Sequence, residues 1–306
     1  MCGFIKIIDY LKNPKTILES IWFRLRFLIT NDVCYVKIMY RLRMGRGDIE
    51  NPKTFSEKLQ WLKLYYRNPA YSHMVDKIEA KKYVGNLIGE EHIIHSLGVW
   101  DRPEDINFDN LPNQFVLKCN HNSGLGMCIC RDKTQLNFKR VRKYLKKGLK
   151  ENYYLRNREW PYKNVSPRIL AEEYLRAEND DLKDYKFFCF NGEPTYCQVI
   201  GGRNTLTTSD FFDMNWNHQP FHEPYNYPFS SIDIPCPNQF EKMKGIAIQL
   251  SKGIPFVRVD LYEVRNKVYF GELTFFPTSG MGGFSPNDWD LKLGEMIILP
   301  SKILSK

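Results

Sequence analysis

Hydrophobic positions along the chain repeat with two periods, one of three to four residues and one of two. Residues 51–67, NPKTFSEKLQWLKLYYR, place Leu59, Leu62 and Tyr66 at helical spacing behind Pro52 and a Thr54/Glu57 capping box. Residues 74–89, MVDKIEAKKYVGNLIG, predict a second helix ending near Gly85 or Gly89. Residues 240–254 predict a third, through Met243, Ile246, Ala247 and Leu250, that stops near Gly253. Period-two runs predict strands at QFVLKCN, at MCIC beyond Gly124 and Gly126, at PRILAEEYL (167–175) and at YKFFCFNGEPTYCQVIGGR (185–203). The last of these reads as a hairpin turning at Asn191 and Gly192. A polar loop (101–114) precedes the first strand, and residues 215–238, rich in Asn, His and Pro, predict a long irregular loop. The order of helices, strand, Gly loop, strand, helix, strands, helix and hairpin predicts an α+β protein with two antiparallel-sheet lobes.

The terminal hairpin, VRVDLYEVRNKVYFGELTFFPTSGM (257–281), alternates on both sides of a polar break at Arg265, Asn266 and Lys267. A turn centred on Asn266 places Asp260 opposite Glu272 and Arg258 opposite Thr274. Facing partners sit about 4.5–5.5 Å apart at Cβ, where two carboxylates repel unless a cation lies between them. A hard ion such as Mg²⁺ takes oxygen ligands of this kind; an exposed hairpin with solvated carboxylates is the competing reading. In QFVLKCN, Phe115, Leu117 and Cys119 share one face and Val116, Lys118 and Asn120 the other. Lys118 followed by NHNSGLGM sets a cation beside a small loop whose amides can approach phosphate oxygens. The GxxxxGK[ST] signature is absent, and a lysine beside an ordinary Gly turn gives the same string.

Composition narrows the class. The 306 residues are 43% hydrophobic, enough for two or three packed lobes. The net charge of +9 is concentrated: residues 1–47 hold nine Lys/Arg against three Asp/Glu, and residues 131–150 nine against one, so the remainder is net negative. That distribution argues against a nucleic-acid-binding protein and for two local anionic contacts, a membrane surface or phosphates, against the alternative of solvated helix faces. Residues 17–30, ILESIWFRLRFLIT, are too short and too charged to span a bilayer but carry Trp22, Phe23 and Phe27 beside arginines, a pattern suited to a membrane interface or to ordinary packing. No signal-peptide cleavage pattern follows. Eight cysteines without a CxxC pair read as reduced residues, with Cys119, Cys128, Cys130, Cys189 and Cys197 in apolar runs. His92/His95 and His218/His222 have ligand-like spacing but no nearby cysteine, which argues against zinc.

The ordered set of VDK, FVLK with its Gly loop, ILAEEYL, VRVDLY and YFGELTFFPTSG resembles the ATP-grasp superfamily. NPKTFSEKLQWLK, LPNQFVLKCNHNSG, REWPY, DYKFFCFNGEP and FVRVDLYEV resemble its TupA-like branch, named for teichuronopeptide biosynthesis, over roughly residues 35–300. The resemblance implies a basic N-terminal helical segment (1–48), a helical region (49–108), and N-terminal (109–175) and C-terminal (176–301) ATP-grasp lobes. It implies that Lys77 and Lys118 bind ATP phosphates under a loop holding Ser123 and Gly124. Glu172, Glu173 and Leu175 would form the adenine hinge and Asp184 would hold the ribose. Asp260 and Glu272 would carry Mg²⁺, while Arg203, Arg258 and Lys186 would offset charge on the transferred phosphoryl group. Thr274 stands where the family has an Asn metal ligand, a weaker oxygen donor. The implied activity is ATP- and Mg²⁺-dependent ligation of a carboxylate to an amine, with a uronic acid and an amino acid as partners, in a cytoplasmic protein that contacts the inner membrane face. A phosphotransferase using the same ATP site, a glycosyltransferase with NDDLKD (179–184) as a poor DxD equivalent, and a non-catalytic acidic-glycan binder are the rival classes.

Overall fold

The computed structural model describes residues 14–177, 181–223 and 227–303; Asn179 and Asp180 of the NDDLKD string lie outside them. Helices α1 (Pro14–Arg24), α2 (Asp32–Met44) and α3 (Phe55–Tyr65) come first, with a 3-10 turn at Leu25–Phe27. The expected capping box opens α3: the Thr54 hydroxyl accepts from the Glu57 amide, and the Glu57 carboxylate accepts from the Thr54 amide. The helix expected over 74–89 is instead two, α4 (Ala70–Val75) and α5 (Glu79–Ile88). Asp76 makes the break. Its backbone is extended and its carboxylate accepts from the Ile78 amide at 2.9 Å, an Asx turn competing with helix hydrogen bonds. Lys77 therefore stands at a corner between helices, tied by its amide to the Asn120 carbonyl.

The first sheet has the order β1-β4-β2-β3, all antiparallel: β1 (Ser96–Trp100), β2 (Phe115–Cys119), β3 (Cys128–Cys130) and β4 (Ile169–Glu173). Strand β1 lies within the stretch expected to be helical; SLGVW is too short and too weakly alternating to announce itself. One face of this sheet, with Phe115, Leu117, Ile169 and Ala171, packs on Val141 and Leu145 of α6 (Phe138–Leu149). The opposite face, with Val116 and Lys118, is left for a ligand. A short helix α7 (Tyr154–Asn157) connects onward.

The second sheet runs β7-β6-β5-β8-β9, from β5 (Asp184–Phe190), β6 (Glu193–Gly201), β7 (Thr208–Asp213), β8 (Phe256–Val264) and β9 (Lys267–Thr274). Asn191 and Gly192 turn the β5–β6 hairpin with positive φ, as expected. Central β5 is buried along its length, with Phe187 on Phe240 of helix α8 (Phe240–Ser251) and Phe188 on Phe55 of α3. Helix α9 (Asp288–Glu295) packs so closely on the start of α3 that a Cβ on Gly294 would collide with the Lys53 carbonyl.

The β8–β9 hairpin departs from expectation in an instructive way. Its turn has two residues, Arg265 and Asn266, both at positive φ, which is type I′ geometry and not a three-residue break. A two-residue turn alone would pair Asp260 with Gly271. A bulge between Asp260 and Leu261 restores the offset, so that Asp260 faces Glu272 and Arg258 faces Thr274 after all. Gly271 is the extra residue, and a Cβ there would meet the Tyr262 ring at 2.9 Å and the Asp260 carbonyl at 3.0 Å.

Candidate active site

A cleft of about 390 Å³ opens between the two sheets. Its apolar wall is Val116 on β2, Ile129 on β3, Met127, Ile94, Leu175 and Leu182; its charged wall comes from both lobes. Of the residues implied by resemblance, Lys77, Lys118, Ser123, Gly124, Glu172, Glu173, Leu175, Asp184, Lys186, Arg203, Asp260 and Glu272 all line it. Arg258 and Thr274 stand one contact away. Residues from seven separate segments thus converge on one space, of a size usual for ligand pockets.

On the first sheet the charges are lopsided. Glu172 is buried at 3% exposure and paired with both Lys118 and Lys81, the latter at 2.6 Å. Burial pushes its pKa up, but the two ammonium groups more than offset that and hold the carboxyl below its usual range. Burial lowers the pKa of Lys77, whose Nζ donates to the Asn122 carbonyl at 2.5 Å, and of Lys81. Three lysines around one glutamate leave this wall net positive, an anion site. The Glu172 carboxylate is committed to lysines, so any hinge contact by 172–175 falls to backbone groups and to Leu175. Glu173 is exposed at the rim, and its amide donates to the His95 carbonyl.

The Gly loop is pinned at its base and open at its tip. The Asn120 side-chain amide donates to Asp76 at 2.9 Å and to the Ser166 carbonyl, and that of Asn122 donates to the Gly148 carbonyl. Ser123 is exposed, and Gly124 has φ +81° with nothing near a built Cβ, so backbone conformation and not crowding calls for glycine there.

On the second sheet the charges alternate. Arg203 pairs with Asp184, Lys186 reaches Asp184 at 3.9 Å and pairs with Asp260, and Arg258 holds Asp260 in a fork at 2.7 Å and approaches Glu272 at 3.6 Å. Asp260 is 1% exposed; burial raises its pKa, and Arg258 and Lys186 reverse the shift. Arg258 is in turn pushed above its ordinary value by Asp260, against the effect of burial. Glu272 keeps a 38% exposed side chain, and the Thr274 hydroxyl lies 3.5 Å from it.

The oxygen donors fit a hard divalent cation. Two carboxylates face each other across β8–β9 with a hydroxyl beside them. No cluster of three or more His, Cys, Asp or Glu able to hold a metal occurs among the described residues. Such a donor set is sufficient for Mg²⁺, which commonly takes one or two carboxylates and completes its shell with phosphates and water.

The match of a family model, TupA-like ATPgrasp, to residues 57–298 decides the identity. The chain belongs to the TupA-like ATP-grasp family. Its fold is accordingly the α+β ATP-grasp fold, two antiparallel sheets gripping a cleft and preceded by helices, and ATP-grasp enzymes are ATP-dependent ligases as a class. A D-alanine–D-alanine ligase from Bacillus anthracis complexed with ATP is similar at 18% identity and a TM-score of 0.42, over 73% of this chain and 63% of that one. The corresponding ligase from Helicobacter pylori is similar at 15% identity and a TM-score of 0.42, over 81% and 70%. The ATP-grasp ligase PsnB with a minimal precursor is similar at 11% identity and a TM-score of 0.39, over 69% and 54%. The chain therefore spans less than two thirds of the length of the B. anthracis enzyme. No curated protein matches.

Sequence reasoning missed two residues at or beside this cleft, and each had a signal. Lys81 follows Lys77 by four residues, a spacing that the expected continuous helix would have put on one face, and it pairs with Glu172. Tyr262 is two residues beyond Asp260 on β8, hence on the same face, and lines the cleft. The cysteine reading matches: Cys119, Cys130, Cys189 and Cys197 are buried and free, with Cys128 partly exposed.

Proposed function

We propose that the protein is an ATP- and Mg²⁺-dependent carboxylate–amine ligase acting through an acyl phosphate. The observation that carries this reading is the cleft itself, where a lysine-rich wall faces a carboxylate-bearing hairpin beside an apolar pocket. The base lies against Val116, Ile129 and Leu182, with the 173–175 backbone as hinge and Asp184 toward the ribose. Lys77, Lys118 and the Ser123–Gly124 amides hold the phosphates. Asp260 and Glu272, with Thr274 beside them, hold Mg²⁺, which when bound supplies charge neutralisation at the phosphate oxygens. Arg258, Arg203 and Lys186 stabilise charge that builds on the γ-phosphoryl group as a carboxylate oxygen attacks phosphorus, the bond to the β,γ-bridging oxygen breaks and ADP leaves. An amine then captures the acyl carbon and phosphate leaves, giving an amide. The protein contributes positioning and preorganised charge, with no covalent intermediate of its own.

For the substrates, membership of the teichuronopeptide-named branch supports a uronic-acid carboxylate and an amino-acid amine, in cell-surface polysaccharide assembly on the cytoplasmic side. The test is hydroxylamine trapping. With ATP, Mg²⁺ and a panel of uronic-acid sugars, the correct carboxylate should give a hydroxamate, replaced by amide when the amino acid is added. A stable sugar phosphate as sole product overturns the ligase reading in favour of a kinase at the same nucleotide site.

A further inference from the structure

We propose that α1 with the Leu25–Phe27 turn, together with α6, docks on an anionic phospholipid bilayer. The first observation is an apolar stripe that the fold does not cover. Leu18, Ile21, Leu25 and Leu28 follow one another at helical steps and are 54%, 49%, 39% and 77% exposed, with Phe27 at 59% beside them. Trp22, between them in sequence, turns inward and stacks on Tyr35. The helix is therefore anchored by one face and bare on the other.

Charge identifies the occupant. Arg24 is exposed in the stripe, and the one acid of α1, Glu19, is paired with Arg43. Leu18 also lines an open groove against α2 whose charged residues are Lys37, Arg41, Arg46, Asp48 and Glu50; Glu50 is paired with Lys37, and Arg41 and Arg46 have no carboxylate partner among the described residues, so the rim is net positive. The second basic segment repeats the pattern on α6. There a groove floored by Leu136, Val141 and Tyr144 is rimmed by Arg140, Lys143, Lys147 and Lys150, again without carboxylate partners among the described residues. Apolar floors with cationic rims match acyl chains below anionic headgroups, whereas a soluble polyanion would leave the apolar stripe in water.

The two patches are linked through α7. Lys150, just beyond α6, is four residues from Tyr154, so the two Cα atoms are at most about 14 Å apart. From Tyr154, α7 packs on the Leu25–Phe27 turn, and Arg158 beyond it donates to the Arg26 and Ile29 carbonyls at 2.8 and 2.6 Å. Two modest signals together are what stable peripheral attachment needs. No described helix is long and apolar enough to cross a membrane.

Sedimentation of the full chain with phosphatidylglycerol-containing vesicles, against phosphatidylcholine alone, tests this. Binding should require the anionic lipid and weaken with salt. Each basic side chain at such a surface strengthens binding roughly fivefold, so the pair Lys143→Glu and Lys147→Glu should lower partitioning roughly twentyfold or more. Leu25→Asp with Leu28→Asp should abolish it, with melting temperature and ATP turnover as controls for folding. Lys143→Gln with Lys147→Gln is the milder alternative, and the salt series needs no variant. Equal binding to phosphatidylcholine, salt-insensitive binding, or capture by soluble polygalacturonate with no vesicle binding overturns the proposal.

Discussion

Removing one carboxylate at a time from the β8–β9 pair separates metal binding from structural support, because Asp260 and Glu272 differ in burial. Asp260→Asn deletes the charge that neutralises two buried cations, Arg258 and Lys186, at a site 1% exposed. Breaking a buried pair from one side costs about 3 kcal/mol or more. With an unfolding entropy of about 2.1 cal/mol/K per residue, 306 residues give about 0.64 kcal/mol/K, so this loss should lower the melting temperature by about 5 °C. Glu272→Gln removes a 38% exposed carboxylate whose nearest cation atom is 3.6 Å away. Solvent screening reduces that contribution to about 0–1 kcal/mol, a melting shift under about 2 °C. If both hold Mg²⁺, both variants lose Mg²⁺-dependent ADP release. Saturation of the parent at a hundredfold excess over Kd should add about 2.7 kcal/mol, or about 4 °C, that Glu272→Gln fails to gain from Mg²⁺ with ATP. Melting curves with and without Mg²⁺ and ATP, alongside an ADP assay, read all of these quantities. Near-normal turnover by Glu272→Gln at saturating Mg²⁺ refutes the metal assignment, and an Asp260→Asn variant that melts like the parent refutes the ion-pair argument.

Gly271→Val should force the bulge to shift, since a Cβ there meets Tyr262 and the Asp260 carbonyl; the Mg²⁺ concentration needed for half-maximal turnover should rise at least about tenfold, and an unchanged value removes the bulge from the argument. Lys118→Ala should lose ADP release whatever acceptor is present, because the role proposed for Lys118 is on ATP, and Glu172 should remain paired with Lys81; retained turnover shows that Lys118 is only a structural counterion. Glu172 and Asp260 both have folded pKa values below the ordinary carboxylate range, so the stability they add is complete above about pH 4.5. It is lost as the pH falls through that range toward the folded values. A plot of melting temperature against pH should drop there, less steeply in Asp260→Asn, and an identical profile for the variant excludes Asp260 as a source of the acid sensitivity.

The outcome at the hairpin explains why face is easier to read in a sequence than contact. Alternation told which residues share the side of β8 that meets the cleft, and that depends only on the period of a strand. The pairing of Asp260 with Glu272 needed the turn length as well, and the expected three-residue turn was wrong. A type I′ turn shortened the connection by one residue, and the bulge at Gly271 lengthened β9 by one, so the pairing survived for a different reason. Two successive one-residue offsets leave the same alternation pattern as none. A glycine within a strand is the residue that betrays a bulge. Lys77 shows the reverse case. The apolar spacing of 74–89 is helical across Asp76, and only the side-chain turn made by Asp76 diverts the chain and brings Lys77 to the loop at Asn122.

Partners of charged groups were less legible still, because they depend on which strands become neighbours. EE in ILAEEYL reads as a doubled acid, yet Glu172 and Glu173 point to opposite sides of β4, one to two lysines and one to water. The chain Arg203, Asp184, Lys186, Asp260, Arg258 and Glu272 draws on three strands and the turn after β6, and alternates in sign along its contacts. Its consequence for the ligase reading is an asymmetry between the lobes. That chain has three positive and three negative groups and already balances Asp260 from within; its one exposed carboxylate is Glu272. Beside the first sheet, Lys77, Lys81 and Lys118 gather around one buried glutamate, Glu172, and Lys77 also feels Glu272 across the cleft. On the proposed reading a triphosphate would lie against those lysines, and its oxygens would complete a Mg²⁺ shell begun by Glu272 with Asp260 and Thr274 beside it, so that nucleotide and metal would favour each other's entry.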